Sequence, residues 1–515
     1  MNIALTGASG HMGKETLKQF LTLNPLDKIR ILVLEEKEVP KMRKEFKNHL
    51  DKLEILQGDL ADLSICRSLV KDMDYVFNLA ALIPSGSDKD PLASKRANHL
   101  GVLNLIQAIE ELSDKQPKFV DITSVALYGD RNYKHPFGRV SDPLLPSPYD
   151  VYSIDKMRGE FAVLESNIKN WVVIRQTAMI YLDMIDCNHK DGLMFHTTFN
   201  GPLEWSTAEQ SGLLMKNIVI EDQRKDLSKT FWRKVFNLGS GEENRITGYE
   251  TLDLGFQLMG GSASSFFGPR DNICRNFHGV WFYDGKELDK LFHFQGDKIH
   301  DYFKKIGKAH KIYRAGKILP PGLIRKFVLD PLKKDDLAPA YWAKHNIESK
   351  LIAYFGSREA YEKLPHKFDD TYPLLCQGNL PNGEHVDYAS LKKEENARFI
   401  DYGFDVDKKD EEINLEDLQR VAAMHGGKLL ETKFMTGDIY RKLKWENQDG
   451  EVFEARPYTV LRGGHFMNIS YKNYAWDFDR LCQKDKIYAQ YWYDSHEKNE
   501  NHYYYMDEQY HALIK

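Results

Sequence analysis

The first 180 residues alternate short apolar runs with stretches of helical period. Ile3–Leu5, Ile29–Leu34, Leu53–Gln57, Tyr75–Leu79, Lys118–Ile122 and Trp171–Arg175 are too short for helices and read as strands. Met12–Leu23, Asn98–Glu111 and Tyr152–Glu165 space their apolar residues as helices do. Strands alternating with helices need crossover connections. The pattern therefore predicts an α/β class, a Rossmann-type doubly wound, mostly parallel sheet covered on both faces. From about 190 to 300 the pattern is less regular. Phe236-Asn237-Leu238 running into Gly239-Ser240-Gly241 predicts a strand and turn that begin a smaller lobe.

Further along, residues 303–329 carry eight Lys or Arg and no acid, interrupted by Pro320-Pro321-Gly322. That interruption is the clearest boundary signal. Residues 415–470 predict an amphipathic helix ending at Gly426-Gly427, then short strands. The aromatic tail, with Tyr491-Trp492-Tyr493 and Tyr503-Tyr504-Tyr505, is expected to pack on the body. The organisation predicted is a nucleotide-binding unit over 1–300, with a substrate lobe mainly in 181–300. A basic linker and mixed helical region covers 301–400, and 401–515 holds a β unit and the tail.

Composition narrows the class. With 42% hydrophobic and 29% charged residues, the 515-residue chain has material for a packed core. A net charge of -5 excludes a globally basic nucleic-acid binder, so no nucleic-acid partner is expected. No run approaches the roughly 18 apolar residues of a membrane span, and mean hydropathy is -0.53. The five cysteines are scattered and form no CxxC pair, so neither a disulfide framework nor a cysteine zinc site is expected. Without a basic and apolar leader the chain reads as cytoplasmic.

Thr6-Gly7-Ala8-Ser9-Gly10-His11-Met12-Gly13 follows the first strand and opens the first helix. Gly7 permits a tight turn, Gly10 lets backbone approach a pyrophosphate, and Gly13 allows close packing, while helix N–H groups hold phosphates. The second strand runs into Glu35, whose carboxylate suits both adenosine ribose hydroxyls and favours NAD. Lys37 and Arg43 are the NADP alternative, and a solvated strand end is the bland one. Tyr152 and Lys156 stand at i and i+4 on one helical face. An ammonium beside a phenol lowers its pKa and makes it a usable acid or base. Ser124, after the fifth strand, is placed to hydrogen-bond a substrate carbonyl at the sheet's carboxyl edge, or to cap a turn.

These residues resemble the extended short-chain dehydrogenase/reductases, also called the NAD-dependent epimerase/dehydratase family. The matching pieces are TGASGHMG at 6–13, Gly58-Asp59-Leu60, Asn78-Leu79-Ala80-Ala81, Asn98-His99-Leu100-Gly101, TSVALYG at 123–129, YSIDK at 152–156 and FNLGSGE at 236–242. The resemblance spans about residues 1–300. It implies that Ser9, His11 and Met12 share in the glycine-loop contact, and that Asp59 and Leu60 lie beside the adenine. It further implies that Ala80, Ala81 and Leu82 line the cofactor, that Asn98 supports the active-site helix, and that Thr177 and Met179 pass the nicotinamide. Ser124, Tyr152 and Lys156 become the catalytic trio, with Lys156 also gripping the nicotinamide ribose. A homodimer is implied by the resemblance alone.

Two departures matter. Val125-Ala126 replace the Asp-Glu pair of family dehydratases and remove the acid and base that elimination needs. Ala178 stands where nucleotide-sugar epimerases carry Asn after Arg-x-Phe, which argues against a nucleotide-sugar substrate. Met194, His196 and Trp205 are candidate pocket residues, with ordinary packing as the alternative.

Residues 415–470 resemble, more weakly, a zinc-ribbon-type module. Asn447 occupies one cysteine position, and Phe466-Met467-Asn468-Ile469 covers the CxxC region, so the unit is read as ribbon-like and metal-free. The basic run, with Ile306, Ile312, Tyr313, Ile318 and Leu319 interleaved, reads as a helix face docked on the protein, with an anionic membrane surface as the less favoured partner. The reading that results is an NAD(P)-dependent oxidoreductase acting on a small molecule. The alternatives are an epimerase or isomerase that retains its NAD, and a non-catalytic dinucleotide-binding regulator.

Overall fold

The computed structural model describes residues 1–188, 192–311, 313, 320–369, 372–466 and 477–504. Its fifteen strands are β1 (Asn2–Thr6), β2 (Lys28–Val33), β3 (Leu53–Gln57), β4 (Tyr75–Asn78), β5 (Lys118–Ser124), β6 (Phe137–Gly138), β7 (Trp171–Gln176), β8 (Ala178–Ile180), β9 (Pro202–Thr207), β10 (Lys234–Leu238), β11 (Arg245–Thr247), β12 (Trp281–Phe282), β13 (Lys428–Leu429), β14 (Leu443–Glu446) and β15 (Val452–Ala455). Seven of them form one parallel sheet in the order β10-β7-β5-β4-β1-β2-β3. All six residues of β7 are buried, as expected of a strand covered on both faces. The strand order reverses between β1 and β4, which puts a crevice at the carboxyl ends of those two strands.

The expectation that Phe236–Leu238 begins the smaller lobe is corrected. β10 is an edge strand of the main sheet, in parallel register with β7 from Lys234 opposite Val172 to Leu238 opposite Gln176. The lobe's own strands are β8, β9 and β11, which form a separate sheet in the order β11-β9-β8.

Helix Val151–Leu164 is capped by Asp150, whose carboxylate accepts the Ser153 amide at 3.0 Å. None of its fourteen residues is exposed. The sheet covers one side and the C-terminal part of the chain covers much of the rest. Ile154 and Met157 join a cluster with Trp342, Tyr488 and Trp492. Val163 and Leu164 join another with Leu418, Trp445 and Leu461. Tyr491, Trp492 and Tyr504 of the aromatic tail are buried, whereas Tyr505 lies outside the described residues.

The helix Leu415–Met424 and the antiparallel sheet β13-β14-β15 form where the pattern placed them. At the first cysteine position of the ribbon resemblance, Asn447 accepts the amides of Asp449 and Glu451 at 3.0 and 2.9 Å and shapes the turn. Phe466 stacks on His425 with centroids 4.2 Å apart, and positions 467–469 lie outside the described residues.

In the basic segment, helix Ile299–Ala309 buries Ile299, Tyr302, Phe303 and Ile306, and Lys305 pairs with Glu209 at 2.6 Å. This part of the run docks on the protein. Ile312, Arg314, Lys317, Ile318 and Leu319 fall outside the described residues. Pro321 opens a helical turn whose Ile324 packs with Phe195 and Phe199. No helix among the described residues is long and apolar enough to cross a membrane.

Buried imidazoles give the fold a pH limit. Burial pushes His99 and His196 down from 6.5 to about 4, and His496 well below 6.5. Each is neutral when folded and charges once unfolded. The stability they share is therefore complete above about pH 6.5 and is lost as the pH falls toward 4. Melting temperatures measured from about pH 8 to about pH 5 are expected to hold down to 6.5 and then drop. An unchanged value at the acid end would contradict this.

Candidate active site

The glycine turn is built for close approach. Gly7 has φ +67°, and a Cβ there would come within 2.8 Å of the Ala80 amide nitrogen. A Cβ on Gly13 would sit 2.0 Å from the Gly7 carbonyl oxygen. Gly10, the residue before helix His11–Phe20, offers no side-chain cap to the first-turn amides. Those donors point at the crevice mouth, as an anion at a helix N-terminus requires. His11 is exposed, and its ring stacks on Tyr181 with centroids 3.6 Å apart.

Behind the turn runs a buried polar chain that the sequence reading did not single out. Thr6 Oγ1 donates to Asn78 Oδ1 at 2.7 Å and accepts the amides of Leu79 and Ala80 at 3.1 and 3.0 Å. Asn78 Nδ2 then donates to Asp121 Oδ1 at 2.7 Å. Asp121 lies close enough to Lys156 for each charge to favour the other. Polar residues inside otherwise apolar strands were the available signal for this chain.

Ser124 ends β5, and its Oγ accepts the Ala126 amide at 3.1 Å, so it does cap a turn. Its hydroxyl also lies near enough to the Tyr152 phenol to act on the phenol's proton. One residue thus fills both roles considered for it. Burial pushes Tyr152 up to about 12, Asp150 adds to the rise, and the Ser124 hydroxyl opposes it. The lowering expected from an adjacent ammonium is not what the side chains do. Lys156 Nζ donates to the Ile122 carbonyl at 3.0 Å and the Ala80 carbonyl at 3.5 Å. In this state Tyr152 is a loaded proton donor at neutral pH.

Asn98 is fully buried in a π-helical turn, Arg96–Leu100. Its amide accepts the Leu82 N–H at 3.1 Å, donates to the Leu82 carbonyl at 2.9 Å and donates to Ser94 at 3.1 Å. Ser94 in turn donates to Asp155 at 2.8 Å. Asn98 therefore ties the loop after β4 to the Tyr152 helix.

The remaining candidates divide. Glu35 is exposed at the end of β2 and pairs with Lys37 at 2.5 Å, so the two rival ribose ligands neutralise each other. Asp59 caps the Ala61 amide at 2.8 Å and pairs with Arg96 at 2.9 Å. Leu60 is buried in the core beside Gly101. Ala80 and Leu82 are half-buried and Ala81 is exposed along the crevice. Thr177 uses its hydroxyl on the Glu204 carbonyl at 2.7 Å, and Met179 packs against the main core.

A cavity of about 320 Å³ lies next to this edge. Its wall includes Asp150 and Val151, which precede Tyr152, together with His196, His278, Leu337 and Tyr354. His196 donates to the Leu337 carbonyl at 2.7 Å and so fastens the appended helices to the lobe. Met194 and Trp205 are not in this wall. Met194 belongs to the Phe195–Phe199 cluster, and Trp205 donates to Thr251 at 3.0 Å. A larger open depression of about 820 Å³, lined by Met1, Asp74 and Lys118, sits at the amino ends of the strands. Ligands of parallel sheets bind at the other end.

Among the described residues two groups of metal-capable side chains assemble: Asp183, Asp186 and His310, whose Asp183 is close enough to His11 to act on its charge, and Asp479, Glu500 and His502. In the first, His310 pairs with both aspartates at 3.3 Å. In the second, Asp479 accepts the Trp492 indole and the His502 amide, and Glu500 pairs with Arg275 at 2.7 Å.

Comparison with known proteins gives short matches. An uncharacterized membrane protein of Methanocaldococcus jannaschii is 29% identical over 124 residues, 24% of this chain and 35% of that protein. UDP-glucose 4-epimerase of Rickettsia bellii is 31% identical over 111 residues, 21% of this chain and 32% of that protein. The matches thus span about a third of each curated relative. The solved structure of dTDP-glucose 4,6-dehydratase from Bacillus anthracis, in complex with NAD, aligns with a TM-score of 0.48 at 15% identity, covering 61% of this chain and 98% of that one. The part of the chain that holds the glycine turn, Ser124, Tyr152 and Lys156, residues 3–179, matches the NAD dependent epimerase/dehydratase family.

Proposed function

We propose that the protein is an NAD-dependent enzyme that transfers hydride between a nicotinamide and a carbonyl or hydroxyl of a small molecule, with Tyr152 as the acid or base. The observation that carries this reading is the placement of Ser124 at the carboxyl edge of the sheet, near enough to the Tyr152 phenol to act on its proton, with Lys156 one helical turn further along the same buried helix. The family match over 3–179 supports it, as does the name of the epimerase relative.

The crevice fits a dinucleotide: glycine at positions 7 and 13 lets the turn pack tightly on the loop after β4 and on itself, and the first-turn amides beside it are uncapped. The Gly7–Gly13 turn would hold the phosphates, Glu35 the adenosine ribose, and Lys156 with Ala80 and Ala81 the nicotinamide side. When bound, the cofactor supplies or accepts hydride at its nicotinamide ring. In the reductive direction Ser124 orients the carbonyl oxygen and Tyr152 delivers its phenolic proton to it, so the carbonyl becomes a hydroxyl. The tyrosinate left behind regains a proton from solvent. An epimerase or isomerase would use the same trio and return the hydride to the same molecule. Val125 and Ala126 supply no carboxylate for elimination.

Acid release and mass spectrometry of any bound nucleotide, followed by NADH and NADPH titrations of the stripped protein, test the reading. NADH is expected to bind at least about tenfold tighter than NADPH. Glu35→Ala is expected to narrow that preference, because it frees Lys37 as well as removing the carboxylate. A site that binds neither would overturn the proposal. Stoichiometric NAD that does not exchange favours the epimerase branch, and reversible NADH binding favours net oxidoreduction.

A further inference from the structure

Three polar side chains form one row across the main sheet. Thr6, Asn78 and Asp121 are register partners on the adjacent strands β1, β4 and β5, and all three are buried. Thr6 donates to Asn78, and Asn78 donates to Asp121, each at 2.7 Å. The row thus ends at a carboxylate. The strand period of two puts Asp121 on the face of β5 that carries Thr123, and Thr123 donates to Glu160 of the Tyr152 helix. Asp121 therefore faces the helix that bears Lys156.

A buried carboxylate is costly unless an opposite charge answers it, and a buried ammonium has the same need. The two hydrogen bonds of Lys156 go to the carbonyls of Ile122 and Ala80, which carry no net charge. The other ionisable groups around it are engaged elsewhere. Glu160, one turn further along the helix, pairs with Arg175 of β7 and accepts His465. Asp155 accepts the Ser94 hydroxyl. Lys95 and His99, from the turns before helix Gly101–Glu110, face Arg158. Tyr152, one turn earlier, is held neutral by burial. Among the described residues Asp121 is the charge that favours the Lys156 ammonium, and Lys156 in turn favours the carboxylate.

The row also reaches the cofactor side of the crevice. Thr6 Oγ1 accepts the Ala80 amide, while Lys156 donates to the Ala80 carbonyl. The backbone of Ala80 is therefore held from both ends, and Gly7 packs against the same amide.

We propose that Asp121 is a positioning residue of the Tyr152 site: held in place by Asn78 and Thr6, it is the buried counter-charge that keeps Lys156 an ammonium for the nicotinamide ribose. The inference rests on the reading of the site given above.

The test is an NADH fluorescence titration of the full chain from about pH 6 to about pH 10, for the parent and Asp121→Asn. Asparagine keeps the shape and an oxygen for Asn78 but brings no charge. Without the negative charge, buried Lys156 loses its proton more readily. At about pH 6 the two proteins are expected to bind NADH within a few-fold of each other. As the pH rises the variant should weaken first, at least about one pH unit below the parent. Binding weakened equally at every pH, or a curve that does not move, would overturn the proposal, since an acid that only fills space has no pH at which to act. Urea unfolding of Lys156→Met, alone and with Asp121→Asn, is a second measurement that needs no NADH. The single change deprives Asp121 of its opposite charge and should lower the midpoint, and the added change should raise it again. A double variant no more stable than Lys156→Met would overturn the pairing. If Asp121→Asn alone fails to fold, the double variant decides, recovery of the fold supporting the proposal and its absence ending it. A parent that binds no NADH defeats the reading of the site, whereas NADH binding with an unshifted curve defeats only this inference.

Discussion

Tyr152→Phe is expected to lower turnover by about 10³-fold or more while leaving NADH affinity within a few-fold of the parent. The substitution keeps the ring that packs in the helix and removes only the hydroxyl that meets Ser124. Burial holds that hydroxyl protonated, pushing it up to about 12, so at neutral pH it is the group ready to give a proton to a developing alkoxide. Phenylalanine has no proton to give, and Ser124 can orient a carbonyl but not protonate it at comparable rate. The measurement is the rate of absorbance change at the nicotinamide band alongside an NADH fluorescence titration. Retained turnover would end the assignment of Tyr152. Lost NADH binding would show that the substitution disturbed the crevice instead.

The second large effect is expected in stability. Glu160 lies on the Tyr152 helix two turns beyond Tyr152, and the Arg175 side chain pairs with it at 2.5 Å with neither exposed to solvent. Thr123 donates to the same carboxylate at 2.7 Å and His465 Nε2 at 3.0 Å. Arg175 also donates to Tyr128 Oη at 2.6 Å and to the Gly463 carbonyl at 2.7 Å. Glu160 is held down at about 2, as burial is outweighed by Arg175 and His465. Arg175→Met strands that carboxylate in the interior and is expected to cost about 3–5 kcal/mol. Arg175→Met with Glu160→Gln removes both charges and is expected to cost less than the single change. Urea unfolding of the three proteins is the check. A double variant as unstable as the single one, or less stable, would show that the stranded charge is not the cause.

That network also shows where reading the chain residue by residue stops. The i, i+4 spacing put Tyr152 and Lys156 on one face, and the helix Val151–Leu164 presents both. The same arithmetic extends to Glu160 at i+8, but nothing near it in sequence names its partners. His465 lies 305 residues away and Gly463 lies 288 away from Arg175. Ser124 was legible because its place after a strand and before a short turn is local, and both its cap and its contact with Tyr152 follow from that place. The phenol's pKa was misjudged for the opposite reason. Spacing states that an ammonium is one turn away, not that it is turned to the Ile122 carbonyl, and burial dominates at the phenol. The edge strand β10 was recognised as a strand but assigned to the wrong sheet, since an apolar run of that length carries no label for its neighbour.

The sequence by itself determined the alternation of strands and helices, the glycine turn after β1 and the catalytic spacing, because each depends on neighbours within a few residues. Only the tertiary structure decided that the C-terminal part encloses the Tyr152 helix. It also decided that His196 anchors the appended helices through Leu337, and that Asp150 and His278 meet beside a cavity. Those arrangements join residues more than a hundred positions apart. Their geometry is set by how apolar faces pack and how buried polar groups find partners, and local pattern carries neither.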